Sequence, residues 1–267
     1  MKSLKGKVIW ITGASSGIGE ALVYELQNQD VKMILSARRK EELERVKGNC
    51  FPEKQKDISI LALDLADHQS LQAKTTEAIA TFGPIDIFIS NGGISQRDTA
   101  IKTSLEVDRQ IMEVNYFGSI TLSKYLLPEM VKRGSGHHVI VSSAVGIISS
   151  PLRSGYAASK HALHGFYDAL RAEHHKDNIK VTIICPGYIK TNISFNALMG
   201  DGARQNKMDR AQANGISSEV CARKIIRAIR KENEEVYIGG VKEVLGIYVK
   251  RFFPRLFSKI ITRMRVT

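Results

Sequence analysis

Three side chains in the stretch 143–160, SAVGIISSPLRSGYAASK, have types and spacing suited to proton transfer. Tyr156 and Lys160 stand four residues apart where the pattern predicts the first turns of a helix, so both fall on one face, one above the other. A free phenol ionises near pH about 10, too high for acid–base work at neutral pH. An ammonium held beside it favours the phenolate and draws its pKa toward the working range. Ser143, at the end of the apolar run 138–141, offers a hydroxyl to a carbonyl oxygen. Together these groups suit moving a proton to or from a carbonyl or alcohol oxygen. A Tyr-x-x-x-Lys pair alone is also an ordinary helix-surface pair, so its meaning depends on its company.

That company begins at the N-terminus. Residues 8–11, VIWI, predict a buried strand. They run into Thr12-Gly13-Ala14-Ser15-Ser16-Gly17-Ile18-Gly19 and then a helical pattern over 20–29. Strand, glycine-rich turn and helix form the context in which a dinucleotide pyrophosphate is bound: glycines permit the tight turn and close backbone approach, and the helix N-terminus favours the anion. Gly13, Ser15, Ser16, Gly17, Ile18 and Gly19 are therefore candidate cofactor contacts. A second strand is expected over 32–37. An acidic residue near its end would accept from the ribose 2′-hydroxyl of NAD. Here Ala37 is followed by Arg38 and Arg39, two guanidiniums able to pair with a 2′-phosphate, which favours NADP(H). The same arginines also open a highly charged helix over 40–47.

Further candidates follow at strand ends. A strand over 58–63 delivers Asp64 and Leu65, the carboxylate suited to an adenine amino group. A helix is expected over 68–82. A strand over 85–89 ends in Ser90-Asn91-Gly92-Gly93, a second glycine turn on the same sheet edge, where ligands of open α/β sheets bind. Asn115 lies inside a long helical segment, 105–132. Asparagine is a poor helix-interior residue, so it either bonds its own backbone or serves a site. A strand over 180–185 leads to Pro186, Gly187 and Tyr188, and a polar, glycine-dotted segment over 189–215 is expected to form a lid or substrate loop that holds Ile189 and Thr191. A helix over 217–231 with Ser218 as N-cap and a last strand over 235–238 complete the alternation.

The elements that must position these groups therefore form an α/β fold: a single Rossmann-type, doubly wound parallel sheet of about seven strands with helices on both faces. A length of 267 residues, 43% hydrophobic and 25% charged, suits one such domain over 1–240. Three scattered cysteines suggest a reducing compartment and no disulfide framework. No apolar secretory leader or run of ~20 apolar residues is apparent, so a cytoplasmic setting is expected. Seven histidines include His161/His164, His137-His138 and His174-His175. None has the spacing of a metal site, and no metal is expected.

The set Thr12-Gly-x-x-x-Gly17-x-Gly19, Asn91-x-Gly93, Asn115, Ser143, Tyr156-x-x-x-Lys160 and Pro186-Gly187 with Thr191 resembles the short-chain dehydrogenase/reductase family over about 5–238. The phrases VNYFGSITLSKYLLPEM, RSGYAASKHALHGFYDALRAE and PGYIKTNIS further resemble its dehydrogenase/reductase member 7 group. The resemblance implies that Tyr156 is the acid–base and Ser143 the carbonyl anchor, Ser143 rather than Ser142 because the family spaces serine and tyrosine thirteen apart. It implies that Lys160 binds the nicotinamide ribose and tunes Tyr156, and that Asn115 holds a water in a proton relay. It also implies hydride transfer between NADP(H) and a carbonyl or secondary alcohol, and a homodimer or homotetramer. One departure is Gly92, where many relatives carry alanine.

Ser95, Gln96, the 144–155 loop and Tyr188 are candidates for recognising substrate, beside Ser143 and Tyr156. Segment 241–267 carries seven basic residues against one acidic, half of the formal charge of +12. Pro254 is expected to start a helix or kink a longer one. Beyond it Leu256, Phe257, Ile260, Ile261 and Met264 fall on one face, with Arg255, Lys259 and Arg263 opposite. Two readings stand: a helix lying on an anionic membrane surface, or one packing its apolar face on protein. The charge has no aromatic platform to suggest nucleic-acid binding. The leading function is reduction of an apolar or lipid-like carbonyl with NADPH. A 3-oxoacyl-[acyl-carrier-protein] reductase and an idle NADP-binding scaffold at a membrane are the alternatives.

Overall fold

Strand β1 (Val8–Thr12) is buried along its whole length, as expected of a β-branched run covered on both faces. In the computed structural model, which describes residues 2–263, it is an interior strand of a seven-stranded, all-parallel sheet. The strands are β1, β2 (Lys32–Ser36), β3 (Ile58–Ile60), β4 (Ile87–Ser90), β5 (Gly136–Val141), β6 (Ile179–Pro186) and β7 (Glu235–Ile238), in spatial order 3-2-1-4-5-6-7. The order reverses between β1 and β4, whose register pairs Ile9 with Ile87 and Ile11 with Ile89. Such a reversal opens a crevice beyond the carboxyl ends of the strands.

Helices cover both faces. On one, α1 (Gly17–Leu26), α2 (Lys40–Gly48) and α8 (Ser218–Lys231) bury Leu22, Leu43 and Ile225 against Ile9, Ile11 and Leu35. On the other, α3 (Leu71–Phe82), α5 (Gly118–Arg133) and α6 (Ser154–Glu173) bury Leu71, Leu122 and Tyr167 against Trp10, Ile34, Phe88 and Ile140. The alternation of side chains along β1 thus feeds two separate cores. Trp10 carries a polar atom into the second, and its indole N–H donates to Ser36 Oγ at 2.8 Å.

Two local departures from expectation have physical causes. The helix expected over 105–132 is α4 (Leu105–Met112) and α5 joined by a π-helical turn, Glu113–Phe117. Ser217, not Ser218, caps α8: its hydroxyl accepts from Val220 N–H, the reach a residue just outside the helix has. After a short helix α7 (Arg210–Ala213) and β7, the chain forms two further helices, α9 (Val241–Phe252) and α10 (Pro254–Ile261). Pro254 occupies the first turn of α10, where its missing N–H is not needed. Met264, Arg265 and the side chain of Lys242 lie outside the described residues.

Candidate active site

The carboxyl ends of β1, β4, β5 and β6 open onto a cleft of about 1260 Å³. At one end the turn after β1 is shaped for close approach. Gly13 and Gly17 have φ of +65° and +59°, left-handed values that suit glycine. A Cβ on Gly13 would lie 2.8 Å from Asn91 Nδ2, and one on Gly17 would lie 2.9 Å from Thr191 Cγ2. Asn91 clamps this turn, with Nδ2 donating to the carbonyls of Thr12 and Gly13, both at 3.1 Å. Ser16 stands at the N-cap of α1 without a side-chain capping bond, so first-turn donors remain for a ligand.

Ser15, Ser16, Gly17, Ile18, Arg38, Arg39, Asp64, Leu65, Asn91, Gly92, Gly93, Pro186, Gly187, Ile189 and Thr191 all line the cleft with Gly13. Gly19 does not: it is the spacer that lets α1 pack against the Gly13 carbonyl. Arg38 and Arg39 are exposed at the rim and make no ion pair among the described residues. The departure at Gly92 has a partner. A Cβ there would come within 2.7 Å of Leu65 Cδ1, so the leucine fills the space an alanine would take. The donor-rich turn and the open helix end fit the pyrophosphate of a dinucleotide.

The other end holds the reactive hydroxyls. Tyr156, in the first turn of α6, and Ser143, just beyond β5, both line the cleft. Ser143 Oγ lies 3.3 Å from the Pro186 carbonyl and accepts from Val145 N–H. Burial pushes the Tyr156 phenol up, while the Ser143 hydroxyl and the positive charges of Arg153 and Arg97 pull it down. Lys160 stands one turn further along α6. Its Nζ lies 5.8 Å from the Tyr156 ring centre and donates to the Val141 carbonyl at 2.8 Å. Burial lowers the Lys160 pKa to about 8.

Asn115 occupies the π turn and does not bond its own helix. Its Oδ1 accepts from Ile94 N–H at 2.8 Å, and Nδ2 donates to the Ile94 carbonyl and Ser159 Oγ, both at 2.9 Å. It therefore ties the loop after β4 to α6, beside Gly93 and behind Lys160. A Cβ on Gly93 would be 3.0 Å from Asn115 Oδ1 and 3.6 Å from Lys160 Nζ.

The substrate candidates divide. Ser95 and Tyr188 line the cleft; Gln96 does not. Gln96 is buried, its Oε1 accepting from Gly155 N–H at 2.9 Å, and so holds the start of α6. The 189–215 segment is pinned by buried Asp209 and Gln212, which bond Arg97 and the Ile189 carbonyl. Sequence reasoning missed Arg97 and did not single out Arg153 and Asp209 within the 144–155 and 189–215 segments; the three are brought together from 56 and 112 residues apart. It also missed that Val249, Phe257, Ile260 and Ile261 wall the cleft from the C-terminal helices. Of the apolar face read for α10, Phe257 is buried, while Leu256 and Ile260 are exposed.

Comparison with known proteins follows this geometry. The family model described as short chain dehydrogenase matches residues 7–199. A Drosophila melanogaster protein named dehydrogenase/reductase SDR family protein 7-like is 41% identical over 266 residues, 98% of this chain and 82% of its own. Human dehydrogenase/reductase SDR family member 7 is 43% identical over 255 residues, 94% of this chain and 75% of its own. The crystal structure of a short-chain dehydrogenase from Streptomyces avermitilis matches with a TM-score of 0.80 at 27% identity, over 96% of this chain and 98% of that one.

Proposed function

This chain belongs to the short-chain dehydrogenase/reductase family of oxidoreductases, and on that premise we propose that it reduces an apolar, lipid-like carbonyl with NADPH. The family acts on CH–OH and C=O groups with a nicotinamide cofactor. The observation that carries the proposal is Ser143 and Tyr156 together on the cleft wall, with Lys160 and Asn115 locked behind them. When bound, the nicotinamide supplies the hydride. Ser143 holds the carbonyl oxygen by a hydrogen bond, and Tyr156 gives that oxygen its proton. Lys160, fixed by the Val141 carbonyl, contacts the nicotinamide ribose, and Asn115 orders a water in the relay that returns the proton. The residues of the β1 turn and of the Asn91–Gly93 turn hold the pyrophosphate and ring.

NADP(H) is supported by Arg38 and Arg39 at the rim beside Ala37, where no carboxylate competes. The apolar substrate is supported by a wall of Val114, Ile148, Leu198, Phe257 and Ile260. Assembly as a homodimer or homotetramer through α5 and α6 is supported by Phe117 and Tyr125, large apolar side chains left exposed there. A cytoplasmic setting, peripheral on the inner face of a membrane, is supported by the basic, apolar surface of α9 and α10.

The test is oxidation of NADPH, with NADH in parallel, over ketones, aldehydes, steroids and 3-oxoacyl thioesters. NADPH is expected to be favoured about 10–100-fold, the value of one or two charged hydrogen bonds, and replacing Arg38 and Arg39 with alanine should erase that preference. Tyr156→Phe should lower turnover about 10²–10⁴-fold while NADPH still binds. Turnover surviving in Tyr156→Phe would overturn the mechanism, and equal use of NADH would overturn the cofactor assignment. Tight NADPH binding with no turnover on any compound would favour the idle scaffold.

A further inference from the structure

The catalytic end of the cleft holds charge where an apolar substrate alone would call for none. Arg97, in the loop after β4, and Arg153, at the N-cap of α6, both line the cavity, and they are only 4% and 6% exposed. One carboxylate stands between them. Asp209 Oδ2 accepts from Arg97 Nε at 2.7 Å and from Arg153 Nη2 at 3.3 Å. Arg97 Nη1 also donates to Ser95 Oγ at 2.7 Å and to the Gln96 carbonyl at 2.6 Å. The Arg153 guanidinium lies 5.5 Å from the Tyr188 ring centre, over its face. Asp209, 3% exposed, is not itself on the cleft wall. It therefore stands behind the two guanidiniums and holds them at the cavity.

This is the arrangement of an anion receptor. Burying a guanidinium costs several kcal/mol even when it is paired, and tying a loop down needs no charge at all. Among the described residues the two guanidiniums share one carboxylate, so one positive charge stays unbalanced at the cavity, and Arg97 keeps Nη2 beyond its bonds to Asp209, Ser95 and the Gln96 carbonyl; a carboxylate or a phosphate would balance that charge. The charges of both arginines also reach Tyr156 and pull its phenol down, so the positive field extends to the position of the reacting oxygen.

We propose that Arg97 and Arg153 form an anion subsite of the substrate cleft, so that the substrate is an amphiphile bearing a carboxylate or phosphate group near its carbonyl and an apolar chain beyond it. The inference deepens the proposed reductase function and rests on Tyr156 protonating that carbonyl. Tyr188 holds the Arg153 plane, and the wall of Leu198, Phe257 and Ile260 takes the chain.

The experiment uses two matched pairs of long-chain ketones with the full-length protein. One pair differs only as free carboxylate against methyl ester, the other only as phosphate monoester against alcohol, at the same distance from the carbonyl. In NADPH oxidation the anionic member of at least one pair should have a kcat/KM about 10–100-fold above its neutral partner. Which pair discriminates names the anion. Arg153→Gln should collapse that preference through KM, while any effect passed on through Tyr156 should fall on kcat for anionic and neutral compounds alike. Arg97→Lys, which keeps the charge but loses the fork, should weaken it and guards against a misfolded glutamine variant. Calorimetry separates this inference from the catalytic one. A long-chain acid without the ketone should bind the NADPH complex of wild type and of Tyr156→Phe, and bind Arg153→Gln at least tenfold more weakly. Acid binding like its ester and phosphate monoester binding like its alcohol would together overturn the anion subsite whatever the turnover. Neutral and anionic compounds losing equally in Arg153→Gln would also overturn it and leave the arginines as a loop tie. Discrimination in binding without turnover on any ketone would sustain the subsite and sink the reductase.

Discussion

Tyr156 works in a field with opposed parts. Burial holds its proton on, while the Ser143 hydroxyl and the guanidiniums of Arg153 and Arg97 loosen it. Lys160, its neighbour one turn on, is fixed on the Val141 carbonyl, and burial lowers its pKa to about 8. Position and burial thus set acidity as much as residue type does, and the same holds away from the cleft. His137 and His138 are buried side by side on β5. Nε2 of His137 pairs with Thr182 Oγ1, while both ring nitrogens of His138 have no partner between Phe88 and Tyr167. Burial lowers their pKa values to about 4 and about 3. In the unfolded chain both return to about 6.5. Below pH 6.5 the unfolded chain therefore takes protons that the folded chain refuses, and stability falls until the pH drops below the folded values. At pH 5 the loss is about 2 kcal/mol per histidine. Urea unfolding of wild type and His138→Leu at pH 7 and pH 5 should show the variant losing about half as much of this increment. Equal losses in the two proteins would remove His138 from the account.

At the scale of elements, most of the sheet was legible because parallel strands covered on both faces are written as short apolar runs between turn residues. Runs such as VIWI and the turn residues after them need no tertiary information. The π turn at Glu113–Phe117 was not legible. It adds a residue to a helix without any mark in composition, and the apolar periodicity of 105–132 simply continues through it. Its effect is to aim Asn115 across to Ile94 and Ser159 rather than along its own helix. Gly118, where α5 resumes, carries a testable consequence. A Cβ there would lie 2.5 Å from the Leu65 carbonyl oxygen and 2.7 Å from Leu65 Cβ. Alanine would contribute about 0.5–1 kcal/mol of helix propensity. Overpacking against backbone that cannot yield costs about 1–3 kcal/mol, so the clash wins. Gly118→Ala should melt a few degrees below wild type and, because Leu65 lines the cleft, should raise the KM for NADPH. A melt at or above the wild-type temperature would mean that α5 does not rest on that loop.

At the scale of the molecule, the arginines and the roof of the cleft were hidden in the sequence because they are tertiary facts. Arg97, Arg153 and Asp209 have no common spacing, and the C-terminal helices reveal their target only when folded back. That fold gives α9 and α10 two surfaces. Phe257, Ile260 and Ile261 wall the cleft, while Leu245, Tyr248, Phe252, Phe253 and Leu256 are 50–68% exposed beside Lys250, Arg251 and Arg255. Among the described residues no helix is long and apolar enough to cross a membrane. An interfacial role needs no crossing. Each large side chain inserted into lipid contributes up to about 1.5–3 kcal/mol, and each basic residue near an anionic surface about 1 kcal/mol. The two contributions separate experimentally because only the second is screened by salt. Wild-type protein should co-sediment with phosphatidylserine-containing vesicles, less with purely zwitterionic ones, and partly detach in high salt. Replacing Phe252, Phe253 and Leu256 with serine removes the outer apolar surface and leaves Phe257, Ile260 and Ile261 in place. This triple variant should lose vesicle binding at any salt concentration while keeping kcat on a short water-soluble ketone. Undiminished co-sedimentation would show that these helices meet the membrane by charge alone or not at all. Loss of kcat on the soluble ketone would instead mean that the outer surface supports the roof of the cleft, and the two faces of the C-terminal helices would be one structure rather than two.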